Sequence, residues 1–453
     1  MRQNPAEILI DHALGLRWAD VPDAPRERAL SFLYDTLAVG TAGVGAAHAD
    51  AVLAMAQGWG EGRVAGVLGR PGLRLPAASA AFVNAYQIHG QEFDCVHEPA
   101  VLHPMATLLA ALLAEAERAE PVSGERFLTA IVAGVDVSVT LGLAAPGALK
   151  FFRPATAGIF GCVAGIAALR GMDRETALDA FGHALALVSG TMQAHLEGKP
   201  ALPVQVAAAA RNALVAVDLA RGGMPGLRDP LTGPFGYFPL LEVREELDAA
   251  IAMLSTGHRI AEVSWKPFPT GRAGHGGIVA VQKLMARGLE AENLMSLEYR
   301  APPLIHRLVG RPAQAGMQPS YARLCLPYLA ASVLVRGSIG LGDFTRAALD
   351  DPAVLAMAQR IVVVADDNPD AAAFVPACAT ARLTNGTHMI EDVSAQFGSP
   401  AWPLSADEQA AKAGACLDFA GLGHTVQALG ENVQRMAAAP DAVALIRAAG
   451  VMG

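Results

Sequence analysis

The sequence predicts a mainly α-helical protein that consists of a large all-α domain and a smaller α+β domain. Long segments rich in Ala and Leu, with apolar residues three and four positions apart, extend to about residue 222. After about residue 290, alternating and β-branched runs flank an Asn-Gly pair, and from residue 406 the helical pattern returns. We therefore expect a helical domain at residues 1–265, completed by 404–453, and an α+β domain at 266–403.

The predicted elements follow this division along the chain. Several of the helices in the first domain are apolar nearly all round, which indicates burial in a multi-helix layer. They are expected at residues 25–39, 105–118, 125–143, 155–171, 174–189 and 204–222. In the second domain, residues 294–300 alternate, residues 361–365 are β-branched, and residues 379–392 place Asn385-Gly386 between two strand-like segments. This last pattern is typical of a tight hairpin.

Composition limits the function. The chain has 453 residues, 53% of them hydrophobic, so it can bury a large core. A net charge of -9 and the lack of a basic stripe argue against a nucleic-acid partner. The longest uncharged run, residues 154–169, is shorter than the about 20 residues that cross a bilayer, and the N-terminus is expected to be a capped helix rather than a signal peptide. Five scattered cysteines fit a reducing compartment, and we expect a cytoplasmic protein.

Two polar clusters interrupt the apolar segments. One is KPFPTGRAGH at residues 266–275, and the other is HGQEFDCVHEPAVLHP at residues 89–104. No dinucleotide fingerprint, phosphate loop, HExxH motif or GxSxG elbow accompanies them, so neither a cofactor nor a metal is expected. Carboxylates, imidazoles and cations in this combination suit proton transfer next to a carboxylate. The sequence therefore predicts an acid-base site for a small anionic substrate.

The order of these motifs resembles the MmgE/PrpD family, which includes 2-methylcitrate dehydratase, cis-aconitate decarboxylase and iminodisuccinate epimerase. The resemblance also uses FFRPATAGIFG at residues 151–161, LEGKPALP at 196–203 and LCLPY at 324–328, and it covers nearly the whole chain. It implies a helical domain and a smaller α+β domain with the active site between them, and a homodimer as the usual assembly.

Carried over by position, the resemblance implies a set of site residues. Candidates for catalysis are His103 as the general acid/base, Lys266 as a cation or second proton carrier, His275 and Tyr328 as proton donors, and Glu92 in place of the family's aspartate. Candidates for substrate binding are Lys199, Arg153 and Arg272 as carboxylate clamps, with Asp94 and His97. We expect Lys266→Ala and His103→Ala to abolish turnover and leave the fold intact.

Four positions depart from the family pattern. Arg153 and Leu202 replace histidines, Val96 replaces a threonine, and Gly271 stands where decarboxylase-like members have a histidine. An arginine stays protonated, so Arg153 would bind rather than transfer protons. Loss of the histidine at position 271 disfavours decarboxylation more than dehydration or epimerisation.

Each candidate also has a structural interpretation. Tyr328 lies in an apolar helix and is explained equally by core packing, His97 by a surface pair, and Asp94 by a turn cap. Lys266 and Arg272 in a Pro/Gly loop would ordinarily be solvated. Cys95, beside a carboxylate, is expected to be inert.

Three functions therefore remain open. The first is a cofactor-free lyase acting on a di- or tricarboxylate, the second is an epimerase or isomerase of a smaller dicarboxylate, and the third is a carboxylate-binding homologue without activity. Family frequencies favour the lyase, whereas the exchanged histidines favour the other two.

Overall fold

A computed structural model of the protein describes residues 4–147, 149–242, 245–370 and 372–453. It is mainly helical with two small sheets, as the sequence predicts. The first part contains a two-stranded antiparallel ribbon of β1 (Ala65–Gly66) and β2 (Arg74–Leu75). Its helices are α1 (Pro5–Gly15), α2 (Asp23–Ala42), α3 (Ala49–Gln57), α4 (Ala77–His89), α5 (Pro104–Glu117), α6 (Gly124–Leu143), α7 (Arg153–Thr156), α8 (Gly158–Arg170), α9 (Arg174–Ala186), α10 (Gln193–Glu197), α11 (Ala201–Arg221), α12 (Tyr237–Leu241) and α13 (Leu247–Ala252).

The second part combines helices with a four-stranded sheet. Its elements are α14 (His275–Ala286), β3 (Leu294–Ala301), α15 (Pro303–Val309), α16 (Pro319–Ala322), α17 (Leu326–Arg336), α18 (Arg346–Leu349), α19 (Pro352–Ala358), β4 (Ile361–Ala365), β5 (Ala377–Leu383) and β6 (His388–Val393). The strand order is β4-β3-β5-β6, with β3 and β4 parallel and the other pairs antiparallel. The predicted hairpin is confirmed: Gly386 has φ +87°, a conformation that suits glycine in a tight turn.

The chain ends with α20 (Ala406–Phe419), α21 (Val426–Gln434) and α22 (Ala442–Ala448). A capping box of Ser405 and Glu408 starts α20, which packs against α2. Buried apolar residues form two clusters. One joins residues 6–265 with Leu341 and residues 404–452, and the other spans residues 273–393.

By length and composition alone, α6 and α11 are apolar enough to cross a membrane, and a bent pair of α2 and α3 would be a third candidate. In this fold α6 packs against α8, and its most apolar window is 89% buried within the protein. The corresponding window of α11 is 56% buried. Packing between helices therefore accounts for the apolar face of α6.

The segment between α4 and α5 carries the first polar cluster. It leaves α4 at His89 and enters α5 at His103, the residue just before Pro104, which takes the first helical position. Val96 pairs with Ser264 through reciprocal backbone hydrogen bonds of 3.0 and 2.8 Å, so the first polar cluster lies beside the second. Two segments that are about 170 residues apart in sequence thus meet between the two cores.

Candidate active site

A narrow cavity of about 60 Å³ opens between the two parts of the molecule. The helical part contributes Glu92, His103, Phe152, Arg153 and His195 to its wall, and the α+β part contributes Gly271, Arg272, Leu308, Leu324 and Phe374. Most of this wall is apolar, so the few polar groups that reach the cavity act in a poorly hydrated space. A mainly apolar lining with a few convergent polar groups is the usual form of a small-molecule site.

His103 is held by a buried carboxylate. Its Nδ1 lies 3.0 Å from the carbonyl oxygen of Cys95 and 3.2 Å from Asp94 Oδ2. Because both neighbours are acceptors, Nδ1 carries the proton, and Nε2 makes no hydrogen bond to any described residue. Burial lowers the pKa of His103, although Asp94 opposes the shift. His103 is therefore a neutral imidazole with a free Nε2 at the cavity wall.

Asp94 also accepts a hydrogen bond from the Nδ1 of His89, at 2.9 Å. Burial would raise the pKa of Asp94, but His89, His103 and Lys266 lower it well below its usual range. Burial lowers the pKa of His89, but the neighbouring Asp94 carboxylate raises it by a larger amount, so the net shift is upward. Asp94, placed by the sequence among substrate-binding residues, here lies behind His103 and orients it. Such a carboxylate stabilises the imidazolium that forms when the histidine takes a proton.

Glu92 and Lys266 form a buried ion pair. Lys266 Nζ donates to Glu92 Oε2 at 2.7 Å and to the Glu92 carbonyl at 3.2 Å, and its side chain is fully buried. Burial opposes ionisation of Glu92, yet Lys266 and the nearby histidines lower its pKa to about 2. Glu92 lines the cavity and Lys266 does not, so the lysine acts on the cavity through Glu92. This geometry conflicts with the expected role of Lys266 as a direct cation for the substrate.

Glu92 adopts a left-handed backbone conformation, with φ +52°. A residue with a side chain is strained there by about 1–3 kcal/mol. This conformation closes a turn in which Glu92 N donates to the carbonyl of His89 at 3.0 Å. In the same conformation the Glu92 carboxylate contacts Lys266. The surrounding contacts therefore hold Glu92 in place against local backbone preference.

Arg272 reaches the cavity from the second cluster. Its Nε donates to Glu98 Oε1 at 2.5 Å and its Nη1 to the carbonyls of Phe397 and Trp265, while Nη2 is buried without a hydrogen-bond partner among the described residues. Arg272 thus keeps one free donor, as a carboxylate clamp requires.

His275 lies behind Arg272. Its Nδ1 is 3.3 Å from Arg272 Nη1, and its Nε2 is 3.3 Å from the carbonyl oxygen of Thr270. Burial, with the positive charges of Arg272 and Lys266, lowers the pKa of His275 well below its usual range. His275 is not part of the cavity wall, and both of its ring nitrogens are engaged. The structure therefore supports a positioning role for it rather than proton donation.

Arg153 lines the cavity but already has a carboxylate partner. Its Nε and Nη2 both contact Glu242, each at 3.0 Å, and its remaining donors reach the carbonyls of Gly147 and Ala100. Both side chains of the pair are 3% exposed. With its donors occupied in this way, Arg153 is not the free carboxylate clamp that the sequence suggested.

Two further candidates lie away from the cavity. The Tyr328 hydroxyl donates to the carbonyl of Asp343 at 2.6 Å, and the residue does not line the cavity. Core packing therefore explains Tyr328 better than a role as a proton donor to the substrate. His97 is also buried, and its Nε2 contacts Glu262 at 3.1 Å. His97 is therefore not the surface pair that the sequence allowed, and it is not part of the cavity wall.

Lys199 lies at a second, smaller cavity that shares Glu92, Leu202 and Leu324 with the first. It is exposed, and Arg323 and His89 line the same space. Lys199 is thus available at the solvent side of the site, where the sequence placed a carboxylate clamp.

Sequence reasoning missed His195 and Arg323. His195 lies four residues before Lys199, and burial together with Arg311 lowers its pKa to about 4, so a second neutral imidazole lines the cavity. Arg323 directly precedes the LCLPY motif and is 4% exposed. Each residue directly precedes a recognised motif in the sequence, which was the available signal for both.

Two groups of described residues bring a carboxylate and two imidazoles close enough to share a metal ion: His12, Asp136 and His258, and His89, Asp94 and His103. In each group the aspartate accepts hydrogen bonds from the histidines at 2.7–3.2 Å. Hydrogen bonds between each aspartate and its two histidines therefore explain why the three side chains of each group lie together.

Cys95 is fully buried, and burial followed by Asp35 and Asp94 raises the pKa of its thiol well above the usual range. It is therefore the inert thiol that the sequence predicted.

Fold and site together define a mainly helical protein with two apolar cores and a buried histidine-carboxylate site between them. The chain belongs to the MmgE/PrpD family, because the family's N-terminal domain matches residues 7–250 and its C-terminal domain matches residues 268–433. Cis-aconitate decarboxylase from Mus musculus is 26% identical over 87% of this chain and 83% of the relative. A cis-aconitate decarboxylase-like protein from Aspergillus oryzae is 27% identical over 87% and 86%, and the Homo sapiens cis-aconitate decarboxylase is 25% identical over 77% and 74%.

Proposed function

We propose that this protein is a lyase that acts on a small di- or tricarboxylate by removing a proton from the carbon next to a carboxylate. The observation that carries the proposal is the neutral His103, whose free Nε2 lies at the cavity wall with Asp94 behind Nδ1. A neutral imidazole accepts a proton, and the anion behind it stabilises the charge that results. The names of the relatives support a lyase-type enzyme.

The reaction also needs a cation where negative charge develops. Proton removal next to a carboxylate places charge on that carboxylate, and a preorganised donor in a poorly hydrated site lowers the barrier. Arg272 supplies such a donor, since the residue lines the cavity and its buried Nη2 is unpaired among the described residues. We infer that Arg272 binds the carboxylate adjacent to the carbon that His103 deprotonates.

Within the lyases, the site favours dehydration over decarboxylation. Position 271, where decarboxylase-like members are expected to have a histidine, is a glycine, and a Cβ added there would lie 2.5 Å from Leu324 Cδ2. A side chain at this position therefore requires Leu324 to move. In the proposed reaction His103 takes the proton from the carbon, and the imidazolium that forms returns it to the departing hydroxide, which leaves as water. No proton donor is then needed at residue 271.

Epimerisation is the second candidate, and His195 is the observation that favours it. A two-base epimerase needs one group to take a proton and another to return it to the opposite face of the carbon. His103 and His195 both line the cavity and both have lowered pKa values because of burial. Such a pair offers a base and, after protonation from solvent, an acid.

Proton NMR in deuterated buffer tests these functions. The purified protein is incubated with citrate, 2-methylcitrate, cis-aconitate, malate and aspartate in the presence of a chelator. New alkene signals are expected for a dehydratase, whereas deuterium at an α-carbon without net loss of substrate indicates an epimerase. His103→Gln serves as the matched inactive protein. Equal conversion by wild type and His103→Gln would contradict the proposal.

A further inference from the structure

A group of two histidines and a carboxylate lies outside the cavity. His12 belongs to α1, Asp136 to α6 and His258 to the segment that follows α13, and none of the three lines the cavity. One ligand atom from each lies within 4.8 Å of the other two. Imidazole and carboxylate groups that converge from three separate elements are ligands that divalent transition metals accept.

Both histidines point at the same carboxylate oxygen. His12 Nε2 is 3.0 Å from Asp136 Oδ2, and His258 Nδ1 is 2.7 Å from it. In a tetrahedral zinc site with bonds of about 2.0–2.1 Å, neighbouring ligand atoms are about 3.3 Å apart. The two nitrogens therefore need only a small outward movement to accommodate an ion between them and Oδ2.

The other oxygen of Asp136 is held by the backbone. Asp136 Oδ1 accepts a hydrogen bond of 2.7 Å from the N–H of Arg259. Because the side chain of Asp136 is fully buried, this contact fixes the direction in which Oδ2 points. Carboxylates that ligate metals are commonly held in this way by a hydrogen bond from outside the coordination sphere.

An ion can reach this group from solvent. The side chains of His12 and His258 are 19% and 11% exposed, so both rings cover Asp136 from the solvent side. The outer nitrogens, His12 Nδ1 and His258 Nε2, make no hydrogen bond to any described residue. Each neutral ring can therefore carry its proton on the outer nitrogen when the inner nitrogen binds a metal.

The histidines and carboxylate at the cavity differ in their electrostatic surroundings. Lys266 Nζ lies 3.9 Å from Asp94 Oδ1, and its positive charge opposes the binding of a second cation there. Among the described residues, only the two histidines are within ion-pair distance of Asp136. The charges nearby therefore favour a metal ion at Asp136 over one at Asp94.

We propose that His12, Asp136 and His258 bind a divalent transition-metal ion of the zinc type, with water as the fourth ligand. Two imidazoles and a carboxylate match the nitrogen and oxygen ligands that zinc prefers. The ion ties α1 to α6 and to the segment that leads to Lys266, and it takes no part in the proton transfer at His103. Because the three ligands meet only in the folded chain, the ion binds the native state and stabilises it.

Substitution with cobalt tests the site, because Co²⁺ accepts the same ligands as Zn²⁺ and its tetrahedral complexes absorb visible light. The purified protein is stripped with a chelator, transferred to metal-free buffer and titrated with Co²⁺. The wild type is expected to bind one ion per chain with visible absorption, and Zn²⁺ should displace it. Zn²⁺, but not Mg²⁺, should also raise the midpoint of thermal unfolding.

Four variants locate the ion. His12→Gln and His258→Gln should each weaken Co²⁺ binding by at least about 10–100-fold, the loss that follows removal of even an outer-shell partner. His103→Gln changes the group at the cavity and should bind Co²⁺ as the wild type does. His183→Gln removes a partly buried histidine whose ring contacts the carbonyl of Met224, and it should also leave Co²⁺ binding unchanged.

Three results would overturn the site. One is a wild type that shows no Co²⁺ absorption, or whose unfolding midpoint Zn²⁺ raises no more than Mg²⁺ does. Another is unchanged binding in both His12→Gln and His258→Gln, which would assign the ion to other surface groups. The third is loss of binding in His103→Gln with retention in His258→Gln, which would place the ion at the cavity. The comparison of Zn²⁺ with Mg²⁺ uses the wild type alone and so does not depend on the folding of any variant.

Discussion

At the scale of single residues, hydrogen bonding distinguishes the two buried histidines that the sequence marked as catalytic. His103 uses only Nδ1 for contacts with the protein, and its Nε2 remains free at the cavity. His275 uses both ring nitrogens, one with Arg272 and the other with the carbonyl of Thr270. Proton transfer requires an accessible nitrogen as well as a suitable pKa. His103 meets both conditions, and His275 meets neither.

Replacing His103 tests this difference. We expect His103→Gln to lower kcat by about 10²–10⁴-fold, the usual contribution of a general base. Thermal unfolding should stay close to that of the wild type. His97→Gln is the matched control, because His97 is a buried histidine of the same loop whose Nε2 contacts Glu262 outside the cavity. A comparable loss of kcat in the control would contradict the assignment.

The pH dependence of turnover reports the protonation of His103. Burial places its pKa below the ordinary value of 6.5. The base is then neutral at pH 7, and kcat/KM should fall only as the pH drops below 6.5. The Asp94 carboxylate raises the pKa of His103, so Asp94→Asn should lower that pKa further. The acid limb of the profile, where kcat/KM falls as the pH decreases, should then move to lower pH. An acid limb above pH 6.5, or one that Asp94→Asn leaves unmoved, would argue against His103.

At the scale of elements, the site depends on two loops that are fastened to each other. The loop between α4 and α5 carries Glu92 and Asp94, and the loop before α14 carries Lys266 and Arg272. The pair of Glu92 and Lys266, the pair of Glu98 and Arg272, and the backbone pairing of Val96 with Ser264 connect them. Three connections of this kind fix the orientation of the polar groups in the cavity wall.

Removing Lys266 should therefore affect folding as well as turnover. The sequence alone suggested that Lys266→Ala leaves the fold intact, but the structure shows a fully buried ammonium paired with Glu92. Lys266→Met leaves Glu92 with an uncompensated buried charge and should cost about 3–5 kcal/mol in the free energy of unfolding. Urea unfolding at pH 7 measures the change.

A double variant separates charge from packing at this pair. In Lys266→Met/Glu92→Gln no charge remains unpaired, so most of the lost stability should return. Turnover should stay low, because the geometry of the cavity wall has changed. If the double variant is as unstable as Lys266→Met, the loss arises from packing and not from the buried charge.

At the scale of the whole molecule, buried ionisable groups link stability to pH. Neighbouring charges lower the pKa of Glu92 to about 2 and also lower that of Asp94, and hydrogen bonds from His12 and His258 lower that of Asp136, in each case despite burial. Their stabilising contribution is complete above the ordinary carboxyl values and is lost as the pH falls through the folded values. The pKa of His275 is lowered from 6.5, so unfolding takes up a proton below that pH. Both effects weaken the fold on acidification. The raised pKa values of His89 and Asp35 act in the opposite direction but belong to fewer groups.

We therefore expect the free energy of unfolding to fall steadily as the pH decreases from 7 toward 3. Urea midpoints at pH 7, 5 and 3 measure this dependence. Asp136→Asn removes one of the carboxylates at a distance from the cavity and should flatten the change between pH 5 and pH 3. A midpoint that is constant or rises on acidification would contradict the linkage.

The mainly helical fold, the hairpin at Asn385-Gly386 and the two polar clusters could be predicted from the sequence, because helical periodicity, turn chemistry and local motifs are properties of neighbouring residues. Which candidates reach the cavity could not be predicted in this way. Arg153 is neutralised by Glu242, 89 residues away, and Tyr328 is tied to a backbone carbonyl. His195 reaches the cavity from α10, and Arg272 reaches it from the loop before α14. The charge and accessibility of a buried group depend on partners that are distant in sequence, and only folding brings those partners together.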